Sequence, residues 1–182
     1  MTWRAHIVSD IAISVTVHNL CRMSVLYEPL SGFSRLEEAY FLSGSKFWLP
    51  LLFAVSFLGA IFPDIDKEDS KISRMLHFSL PFEHRTVMHS IWALCPLVWL
   101  GFHFIPAAWF AAGYATHLIA DAFSNQGICF FWPIDHYEYS GSIRTKPYHF
   151  IGFYHTGTPS EWVMAGAFCS AAVLTTILWM LV

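Results

Sequence analysis

Along this chain the apolar residues run in blocks, and the polar ones collect between them. Asp, Glu, Lys and Arg are absent from Phe47 to Pro63, from Thr86 to Ala120 and from Trp162 to Val182. A helix needs about 20 mostly apolar residues to cross a ~30 Å hydrocarbon core. The pattern predicts one span in 162–182 and another in 47–63, the second slightly short and helped by local bilayer thinning. The 86–120 block is interrupted by Gly101 and Pro106, which predicts two helices, 87–105 and 107–123, around a tight turn. A charge at the bilayer centre costs several kcal/mol, so uncharged blocks of this length fit a membrane better than a soluble core.

The first 25 residues follow a different pattern. Ile7, Ile11, Val15 and Leu20 share one helical face, while His6, Asp10, Ser14 and His18, each four apart, form a polar stripe on another. An amphipathic helix follows, lying in the interface or spanning with its polar stripe turned into a bundle. Asp10 and His18 interrupt any secretory h-region.

Composition sharpens the class. The 182 residues are 55% hydrophobic and only 13% charged, against roughly 25% charged in an average soluble domain. Ten Lys+Arg against 13 Asp+Glu give a net charge of −3, which excludes a basic nucleic-acid binder. The expectation is an all-α integral membrane bundle of four to five transmembrane helices, a single domain over 1–182. Cys21, Cys95, Cys129 and Cys169 form no CxxC pair and read as small buried hydrophobes. Residues 125–160 are the longest non-helical stretch, and long loops of that kind usually carry function.

Three polar clusters sit at predicted helix ends: Pro63-Asp64-Ile65-Asp66, then His84-Arg85-Thr86-Val87-Met88-His89-Ser90, then His117-Leu118-Ile119-Ala120-Asp121. Helices running down, up and down around short turns bring all three to one membrane face. If the first helix also spans, His6 and Asp10 join them, and that convergence favours the spanning reading. Glu161, opening the last helix, falls on the same side. His117 and Asp121 are four apart and share a helix face, so they can grip one metal ion or two adjacent ones. Asp64 and Asp66 in a turn can point both carboxylates one way. Mixed His/Asp donors suit zinc or manganese better than calcium. The expected cofactor is therefore a divalent metal, zinc ahead of manganese, one or two ions.

The ordered set Pro63, Asp64, Asp66; His84, Arg85, His89, Ser90; Gly113, Tyr114, His117, Asp121; Gly127, Trp132, Pro133 resembles the YdjM-like family of LexA-regulated, membrane-bound predicted metal-dependent hydrolases. His6 and the late Thr156, Gly157 and Glu161 fit the same pattern, so the likeness runs over residues 6–165. Thr86 and Met88 replace the Gly and Thr of the family's HRG-x-THS. The resemblance implies a metal-dependent hydrolase in a bacterial inner membrane. A looser similarity, at the level of the helical H-x-x-x-D pair, is to zinc-dependent phospholipases C.

Each residue also has a plainer reading. His117 and Asp121 can form a simple helix lock, and Asp66, Asp69 or Ser70 can cap the next segment. His89 is favoured as a ligand, and His84 as a ligand or proton carrier. Arg85 is either a snorkelling anchor or a phosphate clamp. His18 and His103 read as core histidines, while His77, His136, His149 and His155 lie in loops. Phe130, Phe131, Trp132, Tyr148, Phe150, Phe153 and Tyr154 suggest an interfacial belt, and Glu161 a structural partner rather than a base.

With five spans, Arg4, Lys67, Lys71, Arg74, Arg85, Arg144 and Lys146 lie on the motif side, opposite Arg22, Arg35 and Lys46, which places that side in the cytoplasm. Without the first span Arg4 changes sides and the bias nearly disappears. The site expected from these residues draws metal ligands from His6, Asp64, Asp66, His89, His117 and Asp121, with His84 and Arg85 catalytic. A membrane lipid or lipid-linked phosphoester is the expected substrate. The competing expectation is a non-enzymatic membrane anchor or assembly protein with a structural metal; a proton relay ranks lower, because the polar groups stay at one face.

Overall fold

The computed structural model describes residues 3–22, 48–135, 138–140, 143–145 and 154–181. Six helices carry the fold: α1 (Trp3–Arg22), α2 (Trp48–Ile61), the short α3 (Lys71–Leu76), α4 (Ile91–Gly101), α5 (Ile105–Ala122) and α6 (Pro159–Leu181). Two 3-10 segments, Phe62–Asp66 and Val87–His89, follow α2 and precede α4. A small antiparallel hairpin, β1 (Glu138–Ser140) with β2 (Ile143–Thr145), lies in the 125–160 stretch and pairs Tyr139 with Arg144. The fold is thus mostly helical, with this one departure from an all-α chain among the described residues.

Packing centres on α5, which lies against α1, α2 and α4, while α6 lies along α1. Glycines set the closest contact. A Cβ on Gly59 of α2 would stand 2.1 Å from the Phe110 carbonyl oxygen, and one on Gly113 of α5 would stand 1.9 Å from that of Ser56. Only hydrogen at both positions lets the two backbones approach this far, as in the small-residue interfaces of membrane helices. Trp109, Ile105 and Leu52 fill one end of the contact, and Tyr114, Leu118 and Ile128 the other.

The stripe on α1 turns inward: Ser9, Asp10, Ser14 and Asn19 are buried, while Ile11 is half exposed. Asn19 Nδ2 donates to Thr176 Oγ1 of α6 at 2.9 Å. The backbone of His6 belongs to α1; the side chains of His6 and His18 lie outside the described residues, as do those of Arg22 and Arg144. Arg35, Lys46, His136, Lys146, Tyr148, His149, Phe150 and Phe153 lie outside them entirely.

The bounds of one expected span are corrected. The helix expected over 87–105 occupies only Ile91–Gly101, about 16 Å at 1.5 Å per residue. Residues 84–90 are drawn into turns that carry His84 and His89, and Pro96 sits within the helix itself. Among the described residues, one helix, α6, holds a stretch, Pro159–Leu178, long and apolar enough to cross a membrane. His103 is exposed in the α4–α5 turn, its ring against Trp99, and is no core histidine. Cys95 is exposed on α4, whereas Cys129 is buried.

Candidate metal centre

Each polar motif owes its position to local chain physics. Pro63 sits in the first turn of the 3-10 segment after α2, where its missing N–H costs nothing. That tight turn carries Asp64 and Asp66. Ser70 takes the capping role for α3, its Oγ accepting from Ser73 N at 3.1 Å, so the Asp64–Asp66 pair is free of that duty. Arg85 takes a left-handed backbone (φ 70°), and the chain then winds one 3-10 turn through His89 before Ser90 opens α4. Tyr114 OH donates to the Met88 carbonyl, tying that turn to α5.

His117 and Asp121 lie on the inner face of α5, both within 1% of full burial. His117 Nδ1 donates to the Ala60 carbonyl at 2.7 Å. A carbonyl can only accept, so Nδ1 carries the proton and the Nε2 lone pair faces the site. His89 Nε2 stands 3.2 Å from His117 Nε2 and 3.7 Å from Asp121 Oδ2, and His117 Nε2 lies 3.8 Å from the same oxygen. Asp64 Oδ1 completes the group, 3.6 Å from His117 Nε2 and 3.9 Å from His89 Nε2. Tetrahedral ligands at zinc distances stand about 3.4 Å apart. The two imidazole nitrogens are 3.2 Å apart, and Asp64 Oδ1 and Asp121 Oδ2 each lie 3.6–3.9 Å from both, spacings that suit a divalent ion. His89, His117 and Asp121 make one potential ligand triad, and Asp64, His84 and His89 a second.

Behind these atoms stands a layer that orients them. Asp66 Oδ1 pairs with His84 Nδ1 at 2.7 Å, and its Oδ2 lies 3.5 Å from His89 Nδ1. Carboxylates in that position fix the ring orientation of metal-ligating histidines. Burial would raise the Asp66 carboxyl, but hydrogen bonding and charge from His84 and His89 outweigh it and bring the pKa to about 2. Asp66, expected as a ligand, thus faces the outer nitrogens of two histidines. Arg85 is buried as well: Nη2 lies 3.1 Å from Asp121 Oδ2, and Nη1 donates to Ser124 Oγ at 2.9 Å and to the Gly127 carbonyl at 2.8 Å. It points inward to Asp121, neither snorkelling nor open as a clamp.

The site has a closed floor and a partly open mouth. His89, His117 and Asp121 form the floor, whereas the side chains of Asp64 and His84 are 23% and 25% exposed. Glu161 is buried and accepts from Gly157 N at 2.8 Å, a helix-start role in keeping with its structural reading. Thr86 Oγ1 donates to the Glu83 carbonyl, closing the turn before the 3-10 segment. Ser124, Tyr114 and Ala60 support the site, and the sequence reading missed their roles. Tyr114 was visible as part of a motif, but a backbone carbonyl such as that of Ala60 leaves no mark in a sequence.

A helical protein with a buried histidine–carboxylate cluster at the ends of its packed helices is the class that fold and site define. The model of the YdjM inner membrane protein family matches residues 25–182, and the chain belongs to that family. His6 and Asp10 precede the matched region. No curated protein and no solved structure matches the chain.

Proposed function

We propose that this protein is a multi-pass inner-membrane hydrolase, metal dependent, acting on a phosphoester of a lipid or lipid-linked substrate. The observation that carries the reading is the partly open mouth above a closed ligand floor. His89, His117 and Asp121 are sealed from solvent while Asp64 and His84 face outward. A divalent ion, zinc or manganese, would be held by Asp64, His89, His117 and Asp121; when bound it would polarise the scissile group and acidify water.

The chain's own residues supply the rest. His84 is held by Asp66 through Nδ1, so Nε2 is its working nitrogen at the mouth, set to take a proton from the attacking water and return it to the leaving group. Asp66 stays ionised and stabilises the imidazolium that forms. Arg85 positions Asp121 and offsets its charge, rather than binding substrate. The likeness to zinc-dependent phospholipases C rests on the His117–Asp121 pair and carries the same substrate class.

Membrane embedding by more than one helix is part of the proposal. Outward apolar side chains run along α4 (Trp92, Trp99, Leu100) and α6 (Val163, Leu174, Met180), all more than 40% exposed. The 14 residues of α2 make about 21 Å of α-helix, and the 3-10 segment that carries Asp64 and Asp66 follows at the membrane face. The shorter helices fit a locally thinned bilayer.

The test is metal content by mass spectrometry on detergent-purified protein, followed by release of product from phospholipids. The expected result is one or two zinc or manganese per chain, lost in His117→Ala and Asp121→Asn, with turnover only in the loaded wild type. Four protein ligands around one ion would also suit a structural metal. Bound metal with no turnover of any lipid phosphoester selects that reading, and a folded wild type that takes up no metal sinks both.

A further inference from the structure

We propose that Asp10, Ser14, Ser56 and Thr116 form a second site, for a small monovalent cation of sodium's size, where α1, α2 and α5 meet. All four residues are buried, with Asp10 at 1% exposure. Asp10 Oδ1 lies 3.0 Å from Ser56 Oγ, 3.3 Å from Thr116 Oγ1 and 3.5 Å from Ser14 Oγ, and the two serine oxygens are 3.2 Å apart. Asp10 Oδ2 is buried with no hydrogen-bond partner.

Counting protons shows why hydroxyls alone do not satisfy this carboxylate. Thr116 has one hydroxyl proton and a shorter bond to spend it on, 2.7 Å to the Gly113 carbonyl. Ser14 has one, and Ser56 Oγ is nearer to it than Asp10 is. Ser56 is left as the firm donor, to Oδ1 alone. A buried carboxylate with one neutral hydrogen bond is costly, more so between membrane helices. An acid proton on Oδ2 would meet no acceptor among the described residues, and one on Oδ1, which the Ser14 or Thr116 hydroxyl can accept, still leaves Oδ2 without a partner.

A cation held against both oxygens of the carboxylate would meet both needs, since it takes only lone pairs. The donor set is all oxygen, which selects hard ions. One carboxylate among neutral hydroxyls carries a single negative charge, so a monovalent ion balances it, whereas a divalent ion would leave a net charge inside the bundle. Oxygens 3.0–3.5 Å apart surround an ion bonded at about 2.4 Å, the distance of calcium-sized ions and hence of sodium; potassium is larger. The site is independent of the hydrolase reading, since Thr116 and His117 are neighbours in sequence but face different partners.

The test uses the full chain in detergent with a chelator present, so that the divalent site stays constant. Thermal unfolding is followed by tryptophan fluorescence in sodium, potassium or choline chloride at equal ionic strength, beside retention of radioactive sodium by the wild type. The expected result is a saturable rise of several degrees in sodium over choline, smaller in potassium and absent in Asp10→Asn. Ser56→Ala keeps the carboxylate and should raise the half-saturating sodium concentration about tenfold, as loss of a single polar contact does. It also serves if Asp10→Asn does not fold. A wild type with equal midpoints in sodium and choline and no retained sodium overturns the proposal. In that case an Asp10→Asn variant as stable as the wild type would identify the group as a neutral acid.

Discussion

At Ala60 a backbone carbonyl takes the Nδ1 proton of His117, and at Asp66 a carboxylate takes up the outer nitrogens of two more histidines. These contacts, rather than the histidines themselves, determine which lone pairs the site presents. Arg85 does the same for Asp121, and its geometry calls for a guanidinium: one fork reaches Asp121, Ser124 and Gly127 together. Lysine keeps the charge but cannot make that fork. Arg85→Lys should therefore leave the protein folded and weaken metal binding by roughly 10–100-fold, as loss of an orienting partner does; titration against a competing chelator reads it. Unchanged affinity would show that Asp121 holds its place unaided. Asp66 gives a prediction about acid. Its carboxyl is lowered from 3.8 to about 2 in the folded chain, so its contribution is complete above the unfolded value and is lost as pH falls through about 2. With metal stripped, Asp66→Asn should cost on the order of 2 kcal/mol near neutrality and flatten the fall in stability between about pH 4 and 2. Parallel wild-type and variant unfolding curves across that range would remove Asp66 from the network. The sequence made all six of these charged and imidazole side chains visible. It did not separate ligands from orienting groups, because Asp64 and Asp66 look alike until the 3-10 turn points one at the inner nitrogens and the other at the outer ones.

Among the elements, the α2–α5 pair carries the site. Gly113 lets α5 settle against Ser56 and Ala60, and one turn later His117 reaches the Ala60 carbonyl. The Gly-Tyr-x-x-His-x-x-x-Asp run is thus one device: Gly113 for approach, Tyr114 to hold the Met88 turn, His117 and Asp121 for the floor. Gly113→Ala forces a Cβ to within 1.9 Å of the Ser56 carbonyl oxygen, so the helices must separate. The expected loss is about 1–3 kcal/mol together with weaker metal binding, since His117 is pulled from its carbonyl. A variant that loses stability but binds metal as before would uncouple helix packing from the site. The helix pair itself was legible as two uncharged blocks. The boundaries of α4 were not, because the block without Asp, Glu, Lys or Arg continues through residues 86–90 while the backbone leaves the helix to place His89. The hairpin at 138–145 was missed for a different reason: three-residue strands are too short to show alternation.

At the scale of the whole molecule, the unpartnered apolar faces and the polar site have to be reconciled with one bilayer. Chain direction does this. α1, α4 and α6 each leave the motif end, as Asp10, His89 and Glu161 near their starts require, while α2 and α5 arrive at it with Asp64 and Asp121. On the proposed multi-pass reading, five traverses would put the start of α1 and the site on one side and the end of α6 on the other. Arg85 is buried against Asp121 and does not act as a free interfacial charge, so the basic residues left at the motif end are Arg4, Lys67, Lys71 and Arg74, with Arg144 and Lys146 in the loop that follows α5. That excess over Arg22, Arg35 and Lys46 still favours a cytoplasmic site. A phosphatase reporter, active only after export, should be active when fused after Val182 and silent when inserted at Glu68–Asp69. A fluorescent reporter that matures only in the cytoplasm should show the opposite pattern. If both positions report the same side, an even number of α4, α5 and α6 cross, and α4, about 16 Å long, is the first candidate for lying at the membrane surface. If the two signs are reversed, an odd number of crossings between the two positions stands, the site faces the periplasm, and its substrate is drawn from the outer leaflet.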